Sequence, residues 1–445
     1  MLRRFRPWRR YLARGIALGG RRRPAPPVHV GAVDAAAPGG RLLDPGPLRP
    51  ENHDAPGKDG GTRPLPWLGP RLAGPPVERN RAADDADAVP LLRPTNYPGV
   101  GRTVTLHVEE FAGPSAEWDR FVRAQPHWTH CHLFGWKTVM TRALGHQCFL
   151  LGARHPDGRL AGVLPLVRVN SLLFGHYLVS MPFLNYGGPL GSEAGVQALV
   201  AYATSLAQRD RVKLLELRSR VPLPIALPAS HRKVTVLLDL TAGSPDRVWQ
   251  GLNSRLKNYV RRTARAGVTV RFGPDQLRPF FEVFKQHMHE LGTPTHGRRL
   301  FETIAEVFPE DVWFGCAYHG GRPVAAGCAL RWGEEVEVTW ASAVASAPEL
   351  RPNALLYWSF IERAALEGVR TFNFGRSTPG SGPHEFKHRW GARDEPLWWY
   401  DLASRNGTTT PSPQDPALAW GPRLWKRMPA RLASALGPHI VRCLP

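Results

Sequence analysis

A hairpin followed by a third strand, an amphipathic helix and a short apolar strand occurs twice in this chain, in the same order. The first copy runs through Phe149-Leu-Leu-Gly-Ala-Arg, turns at His155-Pro-Asp-Gly and returns through Leu160-Ala-Gly-Val-Leu-Pro-Leu-Val-Arg-Val. The second runs through Val312-Trp-Phe-Gly-Cys-Ala-Tyr, turns at His319-Gly-Gly-Arg and returns through Val324-Ala-Ala-Gly-Cys-Ala-Leu-Arg-Trp. Asp-Gly and Gly-Gly between alternating apolar runs are hairpin signals. Third strands follow at 177–181 and 335–340, helices at 193–209 and 353–366, and last strands at 213–219 and 370–377. A repeated unit of this kind predicts an α/β chain of mixed sheets, organised as two tandem domains.

The rest of the chain divides around that repeat. Residues 1–100 carry no sustained period of 2 or 3.6 and are crowded with proline and glycine, which predicts a disordered basic arm. Met1 to Val33 alone holds nine arginines and no acid, part of a net charge of +21 that suits anionic partners. The expected domains are 101–228 and 229–402, parted near the proline-punctuated link at 222–228, and 403–445 reads as a Pro-rich tail. Its last piece, 420–440, is amphipathic and docks either on the body or on a membrane surface. The five cysteines are scattered without any C-x-x-C pair, which points to a reducing compartment and a cytoplasmic protein. No apolar run approaches the roughly 18 residues of a spanning helix.

The stretch most suggestive of chemistry is Thr371-Phe-Asn-Phe-Gly-Arg-Ser followed by Glu385-Phe-Lys-His-Arg-Trp-Gly-Ala. It reads as a strand ending at Asn373, Gly375, Arg376 and Ser377, a loop, then a second strand delivering Lys387 and Trp390. Glycine lets a ligand approach the backbone, and Arg376 and Lys387 would neutralise an anionic reactant or a developing oxyanion. Glu385 alternates onto the same strand face as Lys387, where it is either a general base or simply an ion-pair partner.

Asn185-Tyr186-Gly187-Gly188-Pro189 either walls an acceptor pocket with its backbone N–H groups or turns into the helix at Glu193. The helix 255–266 carries Arg255, Lys257, Arg261, Arg262 and Arg265 with no acid, either lining a groove for a polyanion or forming a solvated face. Asn353 sits in the first turn of its helix, facing a ligand or capping locally. His127, His130 and His132 beside Cys131 read as packing. His287 and His289 are two apart on a helix and cannot share an ion, so no metal site is expected. Glu216 reads as structural. No nucleophile elbow, Walker loop or dinucleotide fingerprint is present, which favours direct transfer in a ternary complex.

Together the Asn373–Ser377 and Glu385–Ala392 motifs, the basic helix, the duplicated hairpin and Gly175-His-Tyr-Leu-Val-Ser-Met-Pro-Phe-Leu-Asn-Tyr-Gly-Gly-Pro-Leu resemble the FemAB family. The likeness is greatest to FemAB-like proteins found beside exosortase/PEP-CTERM exopolysaccharide systems, and it covers about 103–402. It implies two tandem GNAT-like domains and transfer of an acyl or aminoacyl group to an amine of a phosphate- or lipid-linked envelope precursor. It also implies an aminoacyl-tRNA or acyl-CoA donor with no tightly bound cofactor. The family's Phe-Lys and aromatic-Gly correspond to Phe386-Lys387 and Trp390-Gly391, and its second-domain arginine to either Arg255 or Arg261. The GNAT pyrophosphate loop Q/R-x-x-G-x-G/A is missing, which counts against acetyl-CoA. The alternatives are an acyl-CoA-dependent N-acyltransferase acting on an amino sugar, and a non-catalytic glycan- or polyanion-binding scaffold held at the inner face of the membrane.

Overall fold

Both hairpins close through turns whose glycines take positive φ, Gly158 at 85° in the first. Between His319 and Arg322, which pair, Gly320 and Gly321 take φ of 55° and 76°, the two-residue turn whose twist matches that of the strands it joins. In the computed structural model, residues 105–171, 175–240, 243–345, 348–402 and 421–443 are described. The basic arm expected over 1–100 and the Pro-rich start of the tail lie outside them.

Among the described residues, the first sheet contains β1 (His107–Glu110), β2 (Gln147–Arg154), β3 (Leu160–Ser171), β4 (Gly175–Val179), β5 (Leu190–Gly191) and β6 (Leu214–Ser219). The second contains β7 (Val234–Asp239), β8 (Thr269–Phe272), β9 (Val312–His319), β10 (Arg322–Trp332), β11 (Glu335–Ala343), β12 (Thr371–Ser377) and β13 (Arg393–Pro396). The chain then returns to the first sheet with β14 (Trp398–Leu402), so that sheet runs β1-β2-β3-β4-β6-β14 with β5 on β3. The other runs β13-β7-β12-β11-β10-β9-β8. Each repeat thus has the same plan: β3 meets β4 antiparallel and β4 meets β6 parallel, as β10 meets β11 and β11 meets β12.

Helices α1 (Ser115–Arg123), α2 (Gly135–Leu144) and α3 (Glu193–Arg209) belong to the first repeat. Then come α4 (Pro245–Gly251), α5 (Ser254–Arg265), α6 (Leu277–Leu291), α7 (Arg298–Val307), α8 (Pro352–Leu366) and α9 (Gly382–His388). Trp118 and Val122 of α1 point into the core as their i, i+4 spacing requires, and Ser192 caps α3 by accepting from the Gly195 N–H. On α5 the inward residues are Leu256, Val260 and Thr263, and Tyr259 is only half-buried. One apolar cluster runs from α1 and α2 through Tyr177 and Tyr186 to Val236, Phe372 and Trp390, joining both sheets. A second lies between the first sheet and α3.

Helix α9 corrects the strand expected over Glu385–Ala392. Ser381 caps it by accepting from the His384 N–H, and Pro383 sits in its first turn, where a missing N–H does no harm. Phe386 and Trp390 then pack together one helical turn apart, against Tyr357 and Phe374. That is a period near 3.6, not the period of 2 that a strand requires.

At the C-terminus α10 (Gly421–Arg427) and α11 (Ala430–Val441) pack on α6, with Trp425 buried and the Met428 carbonyl accepting from His289 Nε2 at 2.9 Å. Leu424, Leu432 and Leu436 stay exposed. No described helix is long and apolar enough to cross a membrane.

Asn373 ties the repeats together by polar contacts. Its Nδ2 donates to Tyr186 Oη at 2.9 Å and to Glu335 Oε1 at 2.8 Å, while its Oδ1 accepts from Thr235 Oγ1 and the Gly375 N–H, both at 2.8 Å. An Asn373→Leu chain keeps the branched shape but strands these buried partners, so it should lose about 3 kcal/mol in urea unfolding. A loss below about 0.5 kcal/mol would show the network to be dispensable.

Candidate functional site

The parallel ladder between β11 and β12 is short: Glu335↔Thr371, Val336↔Phe372 and Glu337↔Asn373. Just past it both strands are bulged. β11 carries an extra residue against β10, where Trp340 and Val338 pair but Thr339 does not. β12 carries one against β7 between Asn373 and Arg376, where Gly375 takes φ 72°. A bulge bends its strand and re-aims the side chains beside it. A Cβ at Gly375 would stand 3.1 Å from the Val338 carbonyl, so the gap is narrow as well as backbone-lined.

Lys387 reaches this point from α9. Its Nζ donates to the carbonyls of Gly375 and Arg376, both at 2.9 Å, and its side chain is buried. Burial brings the ammonium down to about 8, with Glu337 opposing that shift and Arg376 adding to it. Arg376 is exposed to solvent. Burial and then the charge of Arg218 lower it to about 10, and its guanidinium lies 5.1 Å from the Trp399 ring centroid. The two predicted cations are therefore neighbours.

The third charged group, Glu337, was not anticipated. Its Oε1 accepts from Asn185 Nδ2 at 2.6 Å and Thr339 Oγ1 at 3.2 Å, and its buried Oε2 has no hydrogen-bond partner among the described residues. Burial, then the nearby Glu335 carboxylate, raises it to about 7. The alternation Glu335-Val-Glu337-Val inside an apolar strand could have revealed it, since it places two carboxylates on one face.

Several expectations need correction. Glu385 is exposed on a helix, and two residues' separation there does not put it on the face of Lys387, so it has no place as base. Trp390 is buried among Tyr357, Phe374 and Phe386, and Ser377 and Asn373 are also buried, so these residues shape the strand end from beneath. Asn185, Tyr186, Gly187 and Gly188 are buried too. The Gly188 N–H donates to the Arg218 carbonyl at 2.7 Å and the Gly188 carbonyl faces His132 Nε2 at 3.1 Å, so this backbone is spoken for. Asn185 instead reaches the site through Glu337. Glu216 pairs with Arg218 in the interior. His130 packs between Trp136 and Trp332.

A second region gathers around Tyr259. Arg255 Nε donates to its hydroxyl at 2.6 Å, and Arg351 stacks on its ring at 4.0 Å. Arg261, Arg262 and Arg265 are exposed on the same helix, and Lys257 turns to the Gln250 carbonyl. A cavity of about 470 Å³ lies beside them at the start of α8, lined by Tyr259, His287, Arg351, Asn353, Phe386 and Arg389 among others. Asn353 stands in the first turn of α8, and its buried Oδ1 has no partner among the described residues. This cavity shares α9 with the Lys387 site. A larger one, about 650 Å³, opens at the other end of β11 and β12, where Arg220 pairs with Glu335 and Glu395.

The buried Glu337 carboxyl makes stability pH-dependent. An unfolded glutamate titrates near 4.5 and this one near 7. Between those values the folded chain holds a proton that the unfolded chain has released, so stability falls as pH rises and levels above 7. The buried His130, His132, His146 and His296, all lowered by burial, give the opposite slope. The informative quantity is therefore the difference between chains. Glu337→Gln should gain on the parent by roughly 2–3 kcal/mol between pH 5 and pH 7.5 in urea unfolding. A pH-independent difference would mean that Glu337 is ionised throughout.

Residues 252–388 match the family described as acetyltransferase (GNAT) domain. No curated protein sequence matches the chain. A crystal structure of FemX is similar with TM-score 0.51 and 16% identity, over 66% of this chain and 97% of that one. The C-terminal domain (DUF2156) of a putative lysylphosphatidylglycerol synthetase from Agrobacterium fabrum is similar with TM-score 0.45 and 16% identity, over 66% and 92%. A tandem GNAT protein from the clavulanic acid biosynthesis pathway gives TM-score 0.44 and 13% identity, over 67% and 98%. The fold is mixed α/β with two tandem GNAT-like halves, and the matched span contains Glu337, Arg376 and Lys387.

Proposed function

We propose that this chain, whose residues 252–388 match a GNAT acetyltransferase domain, transfers an acyl or aminoacyl group to an amine of a phosphate- or lipid-linked envelope or exopolysaccharide precursor. The observation that carries this reading is the interrupted β11–β12 ladder, with an ammonium and a carboxyl of near-neutral pKa at its end. In amide formation the amine nitrogen bonds to the acyl carbon, and the bond from that carbon to the donor's sulfur or oxygen breaks. The carbonyl oxygen carries negative charge between these events, and Lys387 and Arg376 supply fixed positive charge for it. The amine must also lose a proton, and Glu337, titrating near 7, is matched to receive it at neutral pH.

Two donors fit. Arg351, Arg389 and Asn353 line the 470 Å³ cavity and would hold the phosphates of an acyl-CoA. The acid-free outer face of α5, with Arg255, Arg261, Arg262 and Arg265, would hold the longer backbone of an aminoacyl-tRNA. The exposed Leu424, Leu432 and Leu436 beside Arg423, Lys426, Arg427 and Arg431 suit a peripheral position on an anionic cytoplasmic membrane face.

The test is transfer from radiolabelled acyl-CoA or aminoacyl-tRNA to nucleotide-linked and lipid-linked amino sugars, with products identified by mass. Lys387→Met should lower kcat by about 100-fold or more, and Glu337→Gln by a comparable factor with loss of the lower limb of the pH profile. Full transfer by both variants would sink the reading. Reversing Arg262 and Arg265 to glutamate should abolish transfer from tRNA while sparing transfer from acyl-CoA, which separates the donors. Unchanged tRNA-dependent transfer at low salt would remove α5 from donor binding.

A further inference from the structure

The helix that carries Lys387 turns a second set of side chains toward β13, and nothing in the acyl-transfer reading uses them. We infer that His384, His388 and Asp394 form a binding site for one borderline divalent cation, with Zn²⁺ as the reference ion, which fastens α9 to β13. This inference stands on geometry alone and is independent of the proposed activity.

His384 and His388 are four apart on α9, so both imidazoles leave the same face of the helix. Their Nε2 atoms are 3.1 Å from each other. Asp394, on β13, brings Oδ2 to 2.9 Å from His384 Nε2 and Oδ1 to 2.8 Å from His388 Nε2. One ligand atom from each residue falls within a group no wider than 4.8 Å. Around tetrahedral zinc, with bonds of about 2.0–2.1 Å, neighbouring ligand atoms stand about 3.3 Å apart. The three atoms therefore need to spread by only a few tenths of an ångström to admit the ion. Two imidazoles with one carboxylate favour zinc and its borderline neighbours over the oxygen-seeking magnesium and calcium. The side chains of His388 and Asp394 are 39% and 35% exposed, so an ion can enter from solvent and complete its shell with water.

One local contact has to change. The Gly380 N–H points at His384 Nδ1 at 3.2 Å, which places the imidazole proton on Nε2. Metal binding moves that proton to Nδ1, and the Gly380 contact gives way in a loop of proline, glycine and serine. In exchange α9 gains a tether on its solvent side. Its inner side is already held by Lys387 on the Gly375 and Arg376 carbonyls and by Phe386 in the aromatic cluster.

The full chain, purified without a polyhistidine tag and stripped with a chelator, is titrated with Co²⁺ and then with Zn²⁺. One equivalent of Co²⁺ should give the visible absorption band of a nitrogen–oxygen site, and Zn²⁺ should displace it stoichiometrically. His384→Ala with His388→Ala, and separately Asp394→Asn, should weaken binding beyond the about 10–100-fold that loss of an outer partner produces. Zn²⁺ should also raise the melting temperature of the parent and leave that of the double variant unchanged. No saturable band in the parent, or parent-like affinity in the double variant, overturns the assignment. The first of these readings needs no variant and so does not depend on the variants folding.

Discussion

The bond on which the candidate site depends is the buried ammonium of Lys387 donating to two successive carbonyls at the end of β12. Those carbonyls belong to Gly375 and Arg376, where the strand is bulged and the parallel ladder with β11 has already ended. A backbone freed from its ladder must find other partners, because buried carbonyls without them are costly. Lys387 supplies them, and in doing so ties α9 to the point where the strands part. The same contact places a positive charge near Glu337 and Arg376; burial moves all three titrations, and the Lys387 charge opposes the rise at Glu337.

Burying so many charges between two sheets is expensive unless each has a partner. Arg220 meets Glu335 and Glu395, Arg218 meets Glu216, and Asn373 fills its hydrogen-bonding capacity, reaching across the boundary to Tyr186. Glu337 departs from this pattern, with one oxygen satisfied and the other without a partner among the described residues. An under-satisfied buried carboxyl is either a defect or a functional group. Its place at the end of the ladder, beside a lysine with a lowered pKa, argues for the latter. The return of β14 to the first sheet crosses the same boundary and brings Trp399 under both Arg218 and Arg376.

How legible this was differs from residue to residue. The hairpins, α3 and α8 could be read directly, because their turns and apolar periods are local properties. Lys387 and Arg376 could be singled out from the glycines beside them. Their element could not: Glu385–Ala392 fits alternation as well as it fits a helix, and the deciding features were Ser381 and Pro383 just upstream. Asn185 was chosen for its neighbouring glycines, yet it acts through Glu337, a contact across 152 positions of sequence that no local pattern contains.

What the chain determined by itself is the repeated order of strands and helices, since turn chemistry and apolar spacing act over a few residues. Folding alone decided which polar groups lost their water. Glu337, Lys387 and Asn373 look no different in the sequence from other acids, lysines and amides. Only the closing of one sheet against the other, and the two bulges beyond the β11–β12 ladder, set burial and neighbours, and burial is what moves the Glu337 and Lys387 titrations toward neutrality.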